Sequence, residues 1–303
     1  MYDLIIIGGG PAGLTAALFA GRSRLRTLIL EKMSVGGRIL LTDSIENYPG
    51  FTGEVSTHEL MKRMEHQVKN LGVEIKLEEV LEIDCKQKSI KTNSSAYTAD
   101  AIIIATGARS RKLGAPGEDR LIGKGVSYCA TCDAPFYREK NVVVVGGGNT
   151  VAEEALYLTR FAKQVTIVHR RDELRASAIL QERLQENKKI HFVLSNVITQ
   201  INGAHKVESI NVKKVNTGEG KIIHCDGVFI FIGYEPETFF LKNKLKLDDL
   251  GFIISDENML TSQEGIFAAG DCRKKSLYQV VTACGDAATA ADSAYKYIVN
   301  KGK

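Results

Sequence analysis

One pattern occurs twice in this chain: a short apolar strand, a cluster of glycines and then a helix rich in small residues. The first copy runs from Asp3 to Gly21 and the second from Asn141 to Thr159, and each is followed by another apolar stretch. A glycine loop between a strand and a helix lets the backbone approach a pyrophosphate, and the free N–H groups of the helix N-terminus favour its charge. The repeat therefore predicts two βαβ units of the dinucleotide-binding kind.

The remaining sequence indicates how these two units are arranged along the chain. Two polar stretches, 84–100 and 202–226, predict small antiparallel meanders, and each leads into an apolar strand that ends in glycine. The last segment holds Gly270-Asp271 and a small-residue helix expected from Gly285 to Val299, which suits packing on the first unit. The predicted fold class is α/β, with two Rossmann-like dinucleotide-binding domains, each with a small antiparallel β meander, the second inserted into the first. The expected bounds are 1–113 and 240–303 for the first domain and 114–239 for the inserted domain.

Composition excludes several classes of function. Of 303 residues, 44% are hydrophobic, and no apolar run approaches the roughly 20 residues that a membrane span needs. The net charge is only +4, with 40 basic residues interleaved among 36 acidic ones, so a nucleic-acid partner is not expected. The apolar stretch Leu4 to Ile7 lacks the basic start and longer core of a secretion signal. We expect a cytoplasmic protein without a membrane segment.

The residue that follows the second strand of each unit predicts which nucleotide binds there. A carboxylate at this position hydrogen-bonds ribose hydroxyls and repels an added 2′-phosphate. In the first unit this residue is Glu31, which predicts an unphosphorylated ribose such as that of FAD or NAD. In the second unit the matching residue is His169, at the same distance beyond the glycine loop. Basic residues therefore replace the acid in the second unit.

Three arginines follow His169, namely Arg170, Arg171 and Arg175. Guanidinium groups donate paired hydrogen bonds to a phosphate, so this cluster predicts NADPH. The alternative is a solvated helix start in which the arginines pair with Asp172 and Glu173. The residues expected near the NADPH phosphates are Gly146, Gly148, Asn149 and Thr150. Val151 occupies the motif position where Gly or Ala normally allows close helix–strand packing, which weakens the site.

Cys129 and Cys132 form the single CxxC among six cysteines. Structural zinc requires four ligands, and the sequence offers no second pair; two inert buried thiols are the other alternative. A redox-active pair is favoured, because CxxC spacing allows a short disulfide loop and often lowers a thiol pKa. Asp133 is a candidate proton donor to a thiolate, with a turn residue or helix cap as its alternative. No metal site is expected.

The motifs occur together in the order found in one known family. They are Gly8 to Gly13, Glu31-Lys32, Gly36-Gly37, Glu46 to Phe51, Ala105-Thr106-Gly107, Cys129 to Asp133, His169 to Arg171 with Arg175, and Gly270-Asp271. On these residues the chain resembles the low-molecular-weight thioredoxin reductases, of the pyridine nucleotide-disulfide oxidoreductase family, over nearly its full length.

The resemblance implies a thioredoxin-disulfide reductase that works as a homodimer. Electrons would pass from NADPH to FAD, then to the Cys129/Cys132 disulfide and on to thioredoxin. Cys132 would face the flavin, and Cys129 would exchange with thioredoxin. The inserted domain would rotate between the half-reactions about strands near 108–116 and 233–240. The residues implied to hold FAD are Gly8, Gly10, Pro11, Ala12, Gly13, Glu31, Lys32, Gly36, Gly37, Arg38, Asn47, Ala105, Thr106, Gly107, Gly270, Asp271, Gln279 and Val280, with the helix after Gly285 aimed at the isoalloxazine.

Some positions depart from the family pattern. Arg38 stands where many members have Gln, Tyr278 stands where Arg often precedes Gln279, and Ala134-Pro135 replaces a more usual glycine. These departures concern rates and flavin potential. Two other functions stay open at this point: a redox-sensing flavoprotein that signals through the cysteine pair, and an NADPH-dependent flavoprotein reductase of another electron carrier.

Overall fold

The computed structural model describes residues 1–41, 44–45 and 47–301, without the side chains of Leu41, Thr131 and Cys132. The chain divides into two compact units. Unit 1 comprises Met1–Arg109 with Glu235–Lys303, and unit 2 comprises Ser110–Tyr234. Unit 2 is thus inserted into unit 1, and both of its ends lie a few residues before the bounds expected from the sequence.

Unit 1 is built on a mixed sheet with helices. Its strands are β1 (Tyr2–Ile7), β2 (Thr27–Glu31), β3 (Ser44–Ile45), β4 (Val55–Ser56), β5 (Glu74–Leu77), β6 (Val80–Asp84), β7 (Ser89–Thr92), β8 (Ala96–Ile104) and β19 (Ile266–Ala268). Its helices are α1 (Pro11–Arg22), α2 (Thr57–Lys69) and α7 (Val280–Lys301), with 3₁₀ turns at Gly37–Leu41, Phe239–Leu241 and Gly270–Cys272.

Strand β8 joins the two parts of this sheet. Its first residues pair antiparallel with β7, and its later residues pair parallel with β1 and β19. The strand order is β5-β2-β1-β8-β7-β6. Alternate residues of β1 point to opposite faces: Leu4 and Ile6 lie in the core with the helices, whereas Ile5 and Ile7 lie in the core with the meander. Burial on both faces explains the continuous apolar sequence of these strands.

Unit 2 repeats this plan. Its strands are β10 (Val126–Ser127), β11 (Asn141–Val145), β12 (Gln164–Val168), β13 (Ile190–Val193), β14 (Asn196–Asn202), β15 (Ser209–Lys214), β16 (Gly220–His224) and β17 (Gly227–Ile230). Its helices are α3 (Glu118–Leu121), α4 (Ala130–Asp133), α5 (Asn149–Leu158) and α6 (Ala178–Glu186), with a 3₁₀ turn at Ala134–Tyr137. Two further strands, β9 (Ala108–Ser110) and β18 (Tyr234–Pro236), lie where the chain passes between the units, and they pair with each other.

A five-stranded parallel sheet, β10-β17-β11-β12-β13, is the centre of unit 2. Val142 and Val144 pack with the helices on one face, and Val143 and Val145 pack with the antiparallel meander β14-β15-β16 on the other. Each fully buried valine of this kind contributes about 1.5–3 kcal/mol relative to exposure. The valine run thus forms the central strand of a unit with three layers: helices, parallel sheet and antiparallel meander.

Three expected elements differ in their bounds, and one of them is the first meander, which begins at Val80 and not at 84. Helix α7 begins at Val280, not at Gly285, so the sequence expectation was wrong by more than one turn. The β-branched pair Val280-Val281 argues locally against a helix. The first turn forms because the Thr282 hydroxyl accepts a bond from the Gln279 backbone N–H at 3.2 Å and Ala283 N–H donates to the Gln279 carbonyl at 2.9 Å. The second meander begins at Asn196, before the expected 202, because β14 precedes the polar turn.

Among the residues described here, no helix is both long and apolar enough to span a membrane.

Close backbone contacts at the glycine loops fix both units. A Cβ on Gly8 would lie 2.3 Å from the Ala105 carbonyl oxygen, and one on Gly146 would lie 2.2 Å from the Phe231 carbonyl oxygen. Both glycines have positive φ, at 109° and 135°. The two loops are therefore structural equivalents, and at each the loop lies directly against the strand that follows the meander.

Replacing Gly13 by alanine should destabilise unit 1 strongly. A Cβ there would lie 1.8 Å from the Gly8 carbonyl oxygen, a backbone atom that cannot rotate away. We expect a loss of about 3 kcal/mol of unfolding free energy. The matched control is Gly148→Ala, where no atom lies within 4 Å of the added Cβ, and where we expect little change. Urea unfolding followed by circular dichroism measures both, and equal midpoints for the two variants would contradict this packing.

Candidate functional site

The first glycine loop is held by the segments expected to surround a nucleotide. Gly36 N–H donates to the Gly9 carbonyl at 2.9 Å, and Gly9 N–H donates to Glu31 Oε2 at 2.7 Å. The other carboxylate oxygen of Glu31 accepts from Met33 N–H at 3.0 Å. A Cβ added at Gly10 would contact the Gly36 carbonyl oxygen at 3.7 Å, so the segment Gly36-Gly37 lies against this part of the loop. The loop therefore presents glycine backbone, with the Glu31 carboxylate beside it.

Asp271 lies between two cations. Its Oδ2 is 3.2 Å from Arg38 Nη2, and its Oδ1 is 3.4 Å from Lys275 Nζ. Lys275 Nζ also contacts Asp286 Oδ2 at 3.1 Å, and Arg273 Nη1 contacts Asp286 Oδ1 at 3.1 Å. Charges that leave water need a partner charge or several hydrogen bonds to be stable. The network fixes the carboxylate of Asp271 next to the start of α7.

Two buried polar atoms in unit 1 fit a ligand that is expected to bind there. Thr106 Oγ1 has no hydrogen-bond partner within the described residues, and Asp271 Oδ1 has none there beyond its 3.4 Å ion-pair contact with Lys275 Nζ. A buried oxygen without a hydrogen bond is unfavourable, so both atoms suit a polar partner such as the sugar chain of FAD. Asn47 Nδ2 donates to Gln279 Oε1 at 3.0 Å, so the structure also brings these two predicted residues together. These observations are consistent with an FAD site in unit 1.

The remaining residues expected at the flavin fall in two groups. One group lies on the loops and helix starts of unit 1, and it comprises Pro11, Ala12, Gly37, Ala105, Gly107, Gly270 and Val280. Lys32 is exposed, and its Nζ lies 3.6 Å from Glu237 Oε2. Its side chain is thus directed to a surface ion pair.

The second glycine loop, in unit 2, is tied to the arginine segment. Arg175 N–H donates to the Gly147 carbonyl at 2.6 Å, and Ser177 N–H donates to Asn149 Oδ1 at 2.8 Å. The ring of His169 is 4% exposed and fills the space beside Gly147, where a Cβ would be 2.4 Å from the ring. Burial, and then the charges of Arg175 and its neighbours, lower the pKa of His169. The imidazole beside the loop is therefore neutral at pH 7.

Arg170, Arg171 and Arg175 are exposed around this loop. Within the described part of the chain none of them forms an ion pair with Asp172 or Glu173. The alternative of a self-paired helix start thus has no support in the structure. Their guanidinium groups are available to a phosphate.

Val151 fits the second loop without widening it. The residue is buried, and its Cγ2 occupies the place beside Gly146 that a side chain there would need, at 2.7 Å from the added Cβ. Because Gly146 has no side chain, Val151 fits beside it without the loss of packing that the sequence predicted.

The cysteine pair lies at the start of α4. Ser127 Oγ accepts from Cys129 N–H at 3.1 Å and lies 3.1 Å from the Cys129 carbonyl oxygen, to which it donates. The side chain of Cys132 lies outside the described residues. Helix α4 packs against α5, the helix that follows the second glycine loop. The predicted redox motif and the arginine-bearing loop therefore lie in one unit, next to two helices that contact each other.

Asp133 is half-buried beside this pair, and it lines a surface hollow of about 290 Å³ with Phe136 and Tyr137. The side chain does not cap the turn that follows it. The alternative role of a helix cap therefore has no support, whereas a carboxyl that opens to solvent beside the pair suits proton transfer.

Glu154 on α5 is a titratable residue that sequence analysis missed. Burial, and then the charge of Glu153, raise its pKa to about 7, although a hydrogen bond from the Ala130 N–H acts in the opposite direction. Glu154 Oε2 is buried without a hydrogen-bond partner among the described residues. The sequence feature that could have indicated this residue is the pair of consecutive acids, Glu153-Glu154, inside a helix of small apolar residues.

The four other cysteines differ from the pair. Burial raises the pKa of Cys272 to about 11 and that of Cys225 to about 12, and it also raises the pKa of Cys85. Such thiols are poor nucleophiles. Cys284 is half-buried, with its sulfur 3.8 Å from the Tyr48 hydroxyl. Within the described residues, no group of three His, Cys, Asp or Glu side chains is arranged to hold a metal ion.

Comparisons with known proteins agree with this architecture. The family model described as pyridine nucleotide-disulphide oxidoreductase matches residues 2–287. The chain is 49% identical to a thioredoxin reductase of Peptoclostridium acidaminophilum, over 98% of this chain and 97% of that protein. It is 46% identical to the thioredoxin reductase of Bacillus subtilis, over 98% and 95% of the two chains. The crystal structure of Lactococcus lactis thioredoxin reductase matches with a TM-score of 0.94 and 44% identity, over 99% of this chain and 100% of that one.

Replacing Arg170, Arg171 and Arg175 together by glutamine should raise the KM for NADPH about tenfold to a hundredfold, because charge-assisted bonds to a phosphate are lost. The KM for NADH, which lacks that phosphate, should not change. Anaerobic flavin bleaching measures both constants. Arg183→Gln, an exposed arginine on α6, is the matched control. A loss of equal size with both nucleotides would contradict a phosphate clamp.

Glu154 should make the stability of unit 2 depend on pH. Its folded-state pKa lies above the ordinary 4.5, so the stabilisation by its neutral form is complete below that pH and is lost as the pH rises through about 7. We expect this contribution, about 2 kcal/mol after allowance for solvent screening, to disappear in Glu154→Gln. Urea unfolding midpoints, measured below pH 4.5 and above pH 7, test this pH dependence. Glu182→Gln, an exposed carboxylate on α6, should keep the wild-type pH dependence, and an unchanged pH dependence in Glu154→Gln would refute the prediction.

Proposed function

The chain belongs to the pyridine nucleotide-disulphide oxidoreductase family and is an oxidoreductase that uses FAD and NADPH, and we propose that its substrate is the disulfide of thioredoxin. Curated relatives named thioredoxin reductase match nearly the whole chain at 46–49% identity. The proposal extends the activity in their names to this protein.

One observation carries the proposal: α4, which bears the CxxC, packs against α5, which follows the arginine-bearing nucleotide loop. A reductase of another electron carrier has no need of a cysteine pair at this place. A structural zinc site would need four ligands, and the pair offers two.

The flavin and the nicotinamide, when bound, supply two-electron transfer that amino-acid side chains do not perform. We assign the flavin to unit 1, at the loop Gly8–Gly13, with Glu31 for the ribose and with Asp271 and Thr106 for the polar sugar chain. We assign NADPH to unit 2, at Gly146–Thr150 with the three arginines on its 2′-phosphate.

Cys129 and Cys132 form the redox disulfide in this proposal. Its reduction takes up two electrons and two protons and gives two thiols. We assign Asp133 as the residue that donates a proton to the thiolate released at Cys132 Sγ. Cys129 Sγ, as a thiolate, then attacks the thioredoxin disulfide, and Cys132 Sγ resolves the mixed disulfide. The products are reduced thioredoxin and the restored Cys129–Cys132 disulfide.

Three finer features belong to the same proposal. The strands β9 and β18 are the pivots about which the inserted unit turns between half-reactions. The resemblance to the family supports a homodimer, and the third feature is a cytoplasmic location. Sedimentation of the purified protein tests the dimer.

The test is NADPH consumption by the FAD-loaded protein with oxidised thioredoxin. We expect continuous turnover in the wild type. In Cys129→Ser we expect flavin bleaching by NADPH to persist while thioredoxin reduction is lost, because only the exchanging sulfur is removed. Cys284→Ser, another half-buried cysteine, is the control and should keep turnover.

The outcomes separate the alternatives. Bleaching followed by disulfide reduction without turnover would favour the redox-sensing flavoprotein. Turnover with a one-electron carrier that survives Cys129→Ser would favour a reductase of another carrier. Either result would overturn the proposal.

A further inference from the structure

The segment between β9 and the cysteine pair contains one buried carboxylate, that of Glu118, which is 2% exposed. It accepts three hydrogen bonds: from Leu113 N–H at 2.8 Å, from Gly114 N–H at 2.6 Å and from the Tyr128 hydroxyl at 2.5 Å. Within the described residues Glu118 has no ion pair; its neighbour Asp119 pairs with Lys112 instead. The charge of Glu118 is thus held by hydrogen bonds alone, and bonds to an ionised acceptor are the strong kind.

The position of Glu118 is itself fixed by the meander of unit 2. Ile201 N–H donates to the Pro116 carbonyl at 2.9 Å. Gly117 has a φ of 93°, and a Cβ there would lie 2.0 Å from the Ile201 carbonyl oxygen. The backbone next to Glu118 therefore lies directly against β14. The carboxylate is a fixed point to which other segments are attached.

One of these attached segments carries the redox motif. Tyr128 immediately precedes Cys129, and its hydroxyl is the third donor to Glu118. Burial, and then the hydrogen bond to Glu118, raise the pKa of Tyr128, so the hydroxyl keeps its proton and stays a donor. Beyond Tyr128, the backbone of Cys129 is held by Ser127 Oγ. The other attached segment, Leu113-Gly114, follows the connecting strand β9.

We propose that Glu118 is a positioning residue for the redox pair: through the Tyr128 hydroxyl it fixes the backbone of Cys129 and ties the redox loop to the segment that follows β9. The inference rests on the proposed function, because it requires that Cys129 and Cys132 form a disulfide. A fixed Cys129 keeps its sulfur near that of Cys132, which raises the effective concentration of one thiol at the other and favours the disulfide. Loosening the loop favours the dithiol.

The experiment compares the FAD-loaded wild type with Tyr128→Phe, which keeps the ring and removes only the hydroxyl. Each protein is equilibrated with mixtures of dithiothreitol and its cyclic disulfide. In this exchange two electrons and two protons pass from dithiothreitol to the cysteine pair, and dithiothreitol closes its own ring disulfide. Acid quenching, alkylation and mass spectrometry of the Cys129–Cys132 peptide then give the ratio of disulfide to dithiol.

We expect the disulfide-to-dithiol ratio to fall about threefold to tenfold in Tyr128→Phe, which is less than the full effect of one lost hydrogen bond to a charged acceptor, because the dithiol form loses part of the same bond. Glu118→Gln should show a fall of similar direction, and the double variant should fall less than the two single effects combined, because both remove one interaction. The matched control is Tyr97→Phe in unit 1, which also loses a tyrosine hydroxyl bonded to a glutamate, at 2.8 Å from Glu78, and should keep the wild-type ratio.

The readout separates positioning from a stabilising role alone. A lower urea midpoint for Tyr128→Phe with an unchanged disulfide-to-dithiol ratio would overturn the inference, as would an equal fall in Tyr97→Phe. Tyr128→Phe decides the question if Glu118→Gln does not fold. A wild type that forms no disulfide at any mixture would overturn the proposed function itself, and this failure is distinct from an unchanged ratio in the variant.

Discussion

Each unit depends on one close contact between a glycine loop and the strand that follows the meander. In unit 1 this contact joins Gly8 to Ala105, and in unit 2 it joins Gly146 to Phe231. Because both contacts involve backbone atoms, a side chain at either glycine would separate the loop from the sheet. The helix that starts after each loop, and the N–H groups at its start, are placed by the same contact. The nucleotide sites thus follow from backbone geometry more than from side-chain chemistry.

Four carboxylates show how the same group is given different properties by its surroundings. Glu31 accepts two backbone N–H groups, and Asp271 lies between Arg38 and Lys275. Glu118 is buried with three donors. For Glu154 burial outweighs its single hydrogen bond, and its pKa rises to about 7. Desolvation favours the neutral acid, while donors and cations favour the charged form.

Patterns formed by residues close together in the chain could be recognised from the sequence alone. The two glycine loops, Glu31, the arginines after His169 and the CxxC each form a local pattern with a physical reason for its spacing. The start of α7 at Val280 was not recognisable, because the β-branched residues Val280 and Val281 oppose a helix locally while Thr282 and the surrounding unit stabilise it. Local propensity was outweighed there by tertiary contacts.

By itself, the sequence determined the α/β class, the duplicated strand–glycine loop–helix pattern and the insertion of one unit in the other, and it predicted the redox role of the cysteine pair. These features depend on periodicity and on short-range spacing, which one chain displays directly. Only the tertiary structure decided that Glu118 meets Tyr128, that Glu154 lies beside Ala130, and that Lys275 and Asp286 support Asp271. Such buried polar contacts join residues on different turns, strands and helices, and their energies depend on burial and on donor geometry, which exist only once the chain has folded.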